Sequence, residues 1–398
     1  MKLRSVVCLG LGLNQLEYVQ AAKNMGYHIV GFDSDENAIC RNLCDDSYSV
    51  RIDSYSEIVE ILIRYENLVG CISEQTDNAL LSVGAVNSAY DLWGPSLDLV
   101  QAIKNKFNQR VKCKKLGVEQ PGFCLYQLEQ DFLSVAEAFI RQFKNVVIKP
   151  TEGQSSIAVR AFSKKMILES DSVELFKNLV EVSGARQFLI EEFVSGDDIS
   201  IEGFVHQSQI HILAISHKTK YAKNPMVDNI LQVIPYREAE HVPEYELASK
   251  LVRGFSLNNS FFHIEAKKNG DSLSLIEWTP RGCGARLSSI LLSKMYNRDM
   301  AAIRVGMLRD NYEPPVLKSV DNIGLLQFFD HKNTHIDALH SGIEKYTKNY
   351  VLHVNNSCSR DFLGGHSQLL DGRSRPSNII AVGNKEIIES LSTHMSTI

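Results

Sequence analysis

A mixed α/β and α+β architecture is predicted: a parallel-sheet domain at the N-terminus, two α+β halves after it, and a small α+β unit at the C-terminus. Three observations carry this prediction. The chain has 398 residues, more than one ordinary core holds. Over the first hundred residues, short apolar runs alternate with stretches whose apolar residues recur at helical spacing, the pattern of a parallel sheet. From residue 188 three strands follow one another directly, and a later pair is joined by Asn269-Gly270-Asp271, a hairpin signal.

The elements follow in order. Residues 5–11, 28–33 and 69–73 read as strands separated by LEYVQAAKNMG and YSEIVEILIRYE, which read as helices. Gly10 and Gly12 follow the first strand and Asp33 ends the second, but the third glycine of a dinucleotide fingerprint is missing. A helical stretch carrying Lys104 and Lys106 closes at Gly117 and Pro121, which marks a domain boundary. A helix near 134–143, a strand at 146–149, a helix near 171–183 and the strand 188–194 come next. The strands ISIEGFV and IHILAIS lead into a segment, 217–230, that reads as irregular. A helix near 244–256 precedes FFHIEAKK and SLSLIEWTP, and Pro314-Pro315 reads as a linker. The expected units are 1–105, 106–190, 191–312 and 313–398.

Composition narrows the function classes. Hydrophobic residues at 44 % and charged residues at 22 % exclude wholesale disorder. A net charge of −5, without a continuous basic stripe, argues against nucleic acid as a partner. The start MKLRSVVCLGLG reads as a strand and not as a signal peptide, and no run reaches the ~18 apolar residues of a membrane span. A cytoplasmic protein without a membrane partner is expected, with its eight scattered cysteines reduced. Cys40 and Cys44 lack the second pair of a zinc ribbon. His331 and His335 have helical spacing for zinc but no completing ligand nearby.

Lys149 ends an apolar strand, where an ammonium needs an anionic partner. That partner is either a protein carboxylate or a bulky anion, since Gly153, Ser155, Ser156 and Ala158 leave room for one to reach backbone N–H groups. Glu277, Thr279 and Arg281 alternate along one strand face. For Glu265 to join them across the hairpin, the turn must have an odd number of residues or the pair must contain a bulge. Converging carboxylates suit a hard cation such as Mg²⁺ shared with phosphates, and a solvated hairpin face is the plain alternative. Glu191 and Glu192 end the strand before the turn at Asp198. His263 shares a face with Glu265, to hold either that carboxylate or a phosphate. His217 reads as a surface histidine.

In this order the pieces resemble the ATP-grasp superfamily, most closely its carboxylate–amine ligases, including the L-amino acid ligases. The likeness covers roughly residues 1–310. It implies a pre-ATP-grasp domain at 1–105, followed by a two-part ATP-grasp fold that holds ATP between antiparallel sheets. It implies that Lys106 and Lys149 contact phosphates under a loop at 153–159. Glu191 would accept from the adenine amino group, beside backbone groups of Glu192 and Val194, and Asp198 would face the ribose. Glu265, Glu277 and Thr279 would take the Mg²⁺ positions, and Arg281 would sit by the transferred phosphate and the substrate carboxylate. Met226 through Pro235 would line the site. Four positions depart from the family pattern: Thr279 stands for asparagine, Ser155 and Ala158 stand where glycines are common, and Asp198 replaces a glutamate.

The implied activity is ADP-forming ligation of a small-molecule carboxylate and amine through an acyl phosphate, with ATP and Mg²⁺, in a chain for which the family allows a homodimer. The alternatives are an ATP-grasp carboxylase, a purine-pathway-type ligase, or a non-catalytic nucleotide sensor. A dehydrogenase would leave the 146–281 pattern unexplained.

Overall fold

The computed structural model describes residues 3–168, 171–222, 224–309, 311–318, 320–329, 351–356 and 377–396. Four short strands, β1 (Ser5–Leu9), β2 (His28–Phe32), β3 (Asp46–Tyr48) and β4 (Leu68–Ile72), form a parallel sheet in the order β3-β2-β1-β4. Strands buried on both faces explain their unbroken apolar runs. Val7, Leu9, Val30 and Phe32 pack on one face against Ile58, Leu62, Val83 and Val86. On the other face lie Ala301 and Val305, from a helix at Met300–Gly306, and Leu308 just after it, so a late segment closes the first domain. The chain leaves β1 outward to β2 and β3 and returns to β4 on the opposite side. In such sheets ligands sit at the carboxyl ends of the two strands flanking that reversal, here β1 and β4.

A second sheet has the order β5-β8-β6-β7, with β5 (Phe123–Gln127), β6 (Asn145–Pro150), β7 (Arg160–Ser163) and β8 (Gln187–Glu192). Its core is aromatic, and Phe132 stacks on Phe176 with 4.2 Å between ring centroids. Strand β8 runs two residues past the boundary expected at 190.

The third sheet has eight strands in the order β13-β12-β9-β10-β11-β14-β16-β15. They are β9 (Asp197–His206), β10 (Gln209–Tyr221), β11 (Asn224–Pro235), β12 (Ser260–Asn269), β13 (Ser272–Thr279), β14 (Ile323–Phe329), β15 (Val351–Asn356) and β16 (Ser377–Gly383). Residues 217–230 are therefore not irregular, because β10 and β11 run through them as a long hairpin. The alternating Lys218 and Lys220 of β10 line a polar cleft. The C-terminal strands are not a free-standing unit either, since β14 pairs with β11 and extends the large sheet. His331 and His335 lie outside the described residues.

The helical stretch carrying Lys104 and Lys106 is two helices, Leu97–Lys104 and Lys106–Lys115, broken at Asn105. The Asn105 side chain accepts from the N–H groups of Phe107 and Asn108, an N-cap that places Lys106 at the first helical position. The Asn269-Gly270-Asp271 hairpin has a two-residue turn, with Asn269 opposite Ser272. One extra residue, Ile276, bulges β13, so Glu265 faces Glu277 directly. The bulge is what restores the parity that the two-residue turn would break.

Among the described residues no helix is long and apolar enough to cross a membrane, and every cysteine is a free thiol. Burial pushes the Cys40 thiol up to about 12 and that of Cys44 to about 11, so both stay protonated.

Candidate active site

The three sheets meet around a cavity of about 710 Å³, within the ~300–1,000 Å³ range of small-molecule sites. Lys106, Lys149, Glu265, Glu277, Thr279 and Arg281 all line it. Gly153, Ser155, Ser156, Glu191, Glu192, Val194 and Asp198 border the same space, as do Met226 and Asp228.

Lys149 sits 5 % exposed with its Nζ 2.7 Å from Glu191 Oε2, while Arg110 Nε is 2.5 Å from Glu191 Oε1. Both oxygens of Glu191 thus face cations of the protein at the wall of the cavity. Arg110 went unrecognised in the sequence, although it lies four residues after Lys106 on the same helix face. Its two remaining nitrogens donate to the carbonyls of Leu275 at 3.0 Å and Ile276 at 2.6 Å. Arg110 therefore clamps the bulge that turns Glu277 toward Glu265.

Lys106 Nζ lies 2.9 Å from Glu277 Oε1 and donates to the Gly153 carbonyl at 2.7 Å. Burial alone would lower the Lys106 pKa, but Glu277 outweighs it and the ammonium is held above its ordinary value. For Lys149 burial prevails. Glu191 is shared with Arg110, whose own charge adds to the depression, so the Lys149 pKa is lowered. The loop over these lysines departs from ordinary backbone, with φ of 60° at Ser155, 55° at Ser156 and 56° at Ala158. Left-handed conformations at non-glycine residues are costly and need local bonds to hold them. Ser156 Oγ donates to the Met226 carbonyl at 2.8 Å, and Gln154 Oε1 accepts from Asp77 N at 2.9 Å.

Several acidic residues of the cleft have basic partners. Lys218 Nζ is 2.5 Å from Glu265 Oε1 and 3.3 Å from Asp228 Oδ2. Asp198 is held by Lys267 at 2.7 Å and faces Lys220 at 3.6 Å, so the position expected to meet a ribose is already paired. His263 bonds Glu202 through Nδ1 at 2.9 Å and Glu265 through Nε2 at 3.2 Å, which is support of a carboxylate. Burial would lower the His263 pKa, but Glu202 and Cys283 raise it well above its ordinary value. His217 is exposed on the opposite strand face from Lys218 and does not line the cavity.

The N-terminal sheet supplies the far wall. Gly10, Gly12 and Asn14 after β1, and Gln75 to Asp77 after β4, border the cavity at the strand ends where the topology reverses. Asp33 is not open to a ligand in the manner of a dinucleotide fold, because its Oδ2 accepts from Leu11 N at 2.7 Å. Asp77 is the main residue missed. Its Oδ1 accepts from Arg281 Nε at 2.7 Å and from Thr279 Oγ1 at 2.9 Å. Behind it, the buried Glu74 takes Arg304 Nε and Gly282 N, each at 2.6 Å.

Burial would raise the Asp77 pKa, but Arg281 more than offsets this and the carboxyl is held below its ordinary 3.8. A lowered folded-state pKa stabilises the fold above the unfolded value, and this is lost as pH falls through the folded value. The stability gap between wild type and Asp77→Asn should therefore be full at neutral pH. It should close as the pH drops below 3.8 and through the lowered value, as urea unfolding at a series of pH values would record.

The residues fit a bound nucleotide and a hard cation. Glu265 and Glu277 offer carboxylate oxygens from directly opposed positions, the donor type such a cation prefers. Thr279 is turned to Asp77 through its hydroxyl hydrogen, which leaves only lone pairs for a metal.

Residues 142–289 match the family profile described as the ATP-grasp domain. No curated protein matches the sequence. The L-amino acid ligase from Bacillus licheniformis is similar in structure with a TM-score of 0.73 at 13 % identity, over 100 % of this chain and 98 % of that one. The N5-carboxyaminoimidazole synthetase from Staphylococcus aureus, complexed with ADP, has a TM-score of 0.73 at 14 % identity, over 100 % and 97 %. The phosphoribosylglycinamide synthetase from Anaerococcus prevotii has a TM-score of 0.68 at 16 % identity, over 99 % and 97 %. The chain therefore carries an ATP-grasp domain at residues 142–289, inside an architecture that it shares along its whole length with these ligases.

Proposed function

We propose that the protein is an ADP-forming carboxylate–amine ligase that uses ATP and Mg²⁺ to make an amide or peptide bond through an acyl phosphate, on amino acids or small carboxylic acids. The observation that carries this is the convergence of Lys106, Lys149, Glu265, Glu277 and Arg281 on one cavity. ATP would supply the phosphoryl group that makes a carboxylate oxygen a leaving group, and Mg²⁺ would neutralise the polyphosphate. Lys149, its pKa depressed beside Arg110, gains most from an arriving anion. Lys106 would exchange part of its pairing with Glu277 for phosphate oxygens. Glu265 and Glu277 would hold the cation, and Arg281 would orient the acid from the side opposite Asp77. The loop at 153–159, already tied to Asp77 and Met226, would exclude water from the acyl phosphate. Asp77 places a carboxylate where an ammonium group could dock, which supports amino acids as the substrate class.

A phosphate-release screen over pairs of amino acids, amines and small acids tests this reading. ATP-dependent release requiring both an acid and an amine is expected. Release with bicarbonate alone would move the assignment to a carboxylase, and nucleotide binding without turnover would move it to a sensor. Lys149→Met keeps the Glu191–Arg110 pair neutral and should weaken ATP binding by roughly 10–100-fold in calorimetry, the scale of one hydrogen bond to a charged group. Unchanged affinity would remove Lys149 from the phosphate site.

A further inference from the structure

Beside the carboxylate pair lies a second donor set of different chemistry. Glu202 on β9 and His263 on β12 are direct cross-strand partners, and Cys283 follows β13 on the loop after Arg281. One ligand atom from each of the three lies within 4.8 Å of the other two. Glu202 is 1 % exposed, and its Oε2 is buried without a hydrogen-bond partner among the described residues. An orphaned carboxylate oxygen in such a place destabilises the fold unless something satisfies it.

We propose that Glu202, His263 and Cys283 form a binding site for a thiophilic divalent cation of the Zn²⁺ class, separate from the hard-cation position at Glu265 and Glu277. A nitrogen and a sulfur donor disfavour Mg²⁺ and suit Zn²⁺. Three protein ligands with one side open is the arrangement of accessible zinc sites, and His263 and Cys283 both border the cavity. Bonds of ~2.0 Å to nitrogen and oxygen and ~2.3 Å to sulfur bring ligand atoms to within ~4 Å of each other, so the set needs to contract by only about an ångström.

The loop is already pinned for this. Gly282 N donates to Glu74, a Cβ at residue 282 would fall 2.7 Å from Ser288 Oγ, and Ser288 Oγ donates to the Cys283 carbonyl at 3.4 Å. Binding would release the Cys283 thiol proton and one His263 ring proton to solvent and loosen the hydrogen bonds that His263 gives to Glu202 and Glu265, so occupancy would be felt at the neighbouring carboxylate pair.

Cobalt(II) titration of the chelator-treated full chain, without nucleotide, tests the site directly. Thiolate-to-cobalt charge transfer saturating at one equivalent is expected, displaced by Zn²⁺, indifferent to excess Mg²⁺, present in Glu277→Ala and lost in Cys283→Ser. Mass-spectrometric alkylation of wild type is the companion measurement, and one equivalent of Zn²⁺ should slow modification of Cys283 at least tenfold. No charge-transfer band, a band that survives Cys283→Ser, or alkylation unaffected by Zn²⁺ would each overturn the proposal. None of these readouts depends on ATP, so they stand or fall apart from the ligase reading.

Discussion

Glu277→Ala is expected to cut ATP-dependent phosphate release by roughly 10²–10³-fold, the cost of removing one charged contact to a developing transition state. The fold should survive. The Glu277 side chain is about one-third exposed (34 %), and Lys106 retains the Gly153 carbonyl when its carboxylate is gone. Glu277→Gln separates the two jobs of this residue, since it keeps an acceptor for Lys106 but removes a cation ligand. If Glu277 serves Mg²⁺, both variants should need far more Mg²⁺ for half-maximal turnover. If it only restrains Lys106, the glutamine variant should work almost normally. Steady-state release against Mg²⁺ concentration, with circular dichroism as a check on folding, decides this. Wild-type turnover in the alanine variant would end the metal assignment.

What the sequence disclosed was local. Lys149 at a strand end, the small-residue loop after it, and the alternation of Glu277, Thr279 and Arg281 are short-range patterns, and the structure brings them to one cavity. The parity problem of the hairpin was equally readable, because a period of two forces a bulge or an odd turn, and Ile276 is that bulge. What remained hidden acts over long separations. Arg110 reaches 81 positions to Glu191, and Asp77 reaches 204 to Arg281. Spacing within a window carries no record of such pairs.

Residues 217–230 read as irregular in the sequence, yet they form a hairpin in which the Lys218 side chain is 3 % exposed against Glu265 and Asp228. Glu191 and Asp198 line the cavity and also pair with cations of the protein itself. Identity and position of a carboxylate can be read from a sequence, but the direction of its side chain depends on what the fold places opposite. The C-terminal strands follow the same logic. A proline-marked linker looked like a boundary, but an unpaired edge on β11 is a better partner for β14 than a small separate sheet would be.

The Glu191 centre is where one substitution should cost the most stability. Arg110, Lys149 and Glu191 are 1 %, 5 % and 3 % exposed, so two cations share one buried carboxylate at the cavity wall. Glu191→Gln keeps the shape and an acceptor but leaves two like charges buried together, and breaking a buried pair in this way costs about 3–5 kcal/mol. Arg110→Met leaves Lys149 and Glu191 balanced and should cost less through charge, while it releases the Leu275 and Ile276 carbonyls and loosens the Glu277 bulge. Because both changes act on one cluster, the double variant should be less unstable than the sum of the two.

The pH dependence has a definite sign. The Lys149 pKa is already lowered in the folded protein, and loss of Glu191 lowers it further. Between that value and the ordinary 10.5 the unfolded chain binds more protons than the folded one, so stability rises with pH. The deficit of Glu191→Gln should therefore shrink as the pH is raised toward 10.5, where Lys149 sheds its proton in both states. Urea unfolding from neutral to alkaline pH measures it. A deficit below about 1 kcal/mol at neutral pH, or one that grows with alkalinity, would show that the two cations do not depend on Glu191 for their charge balance.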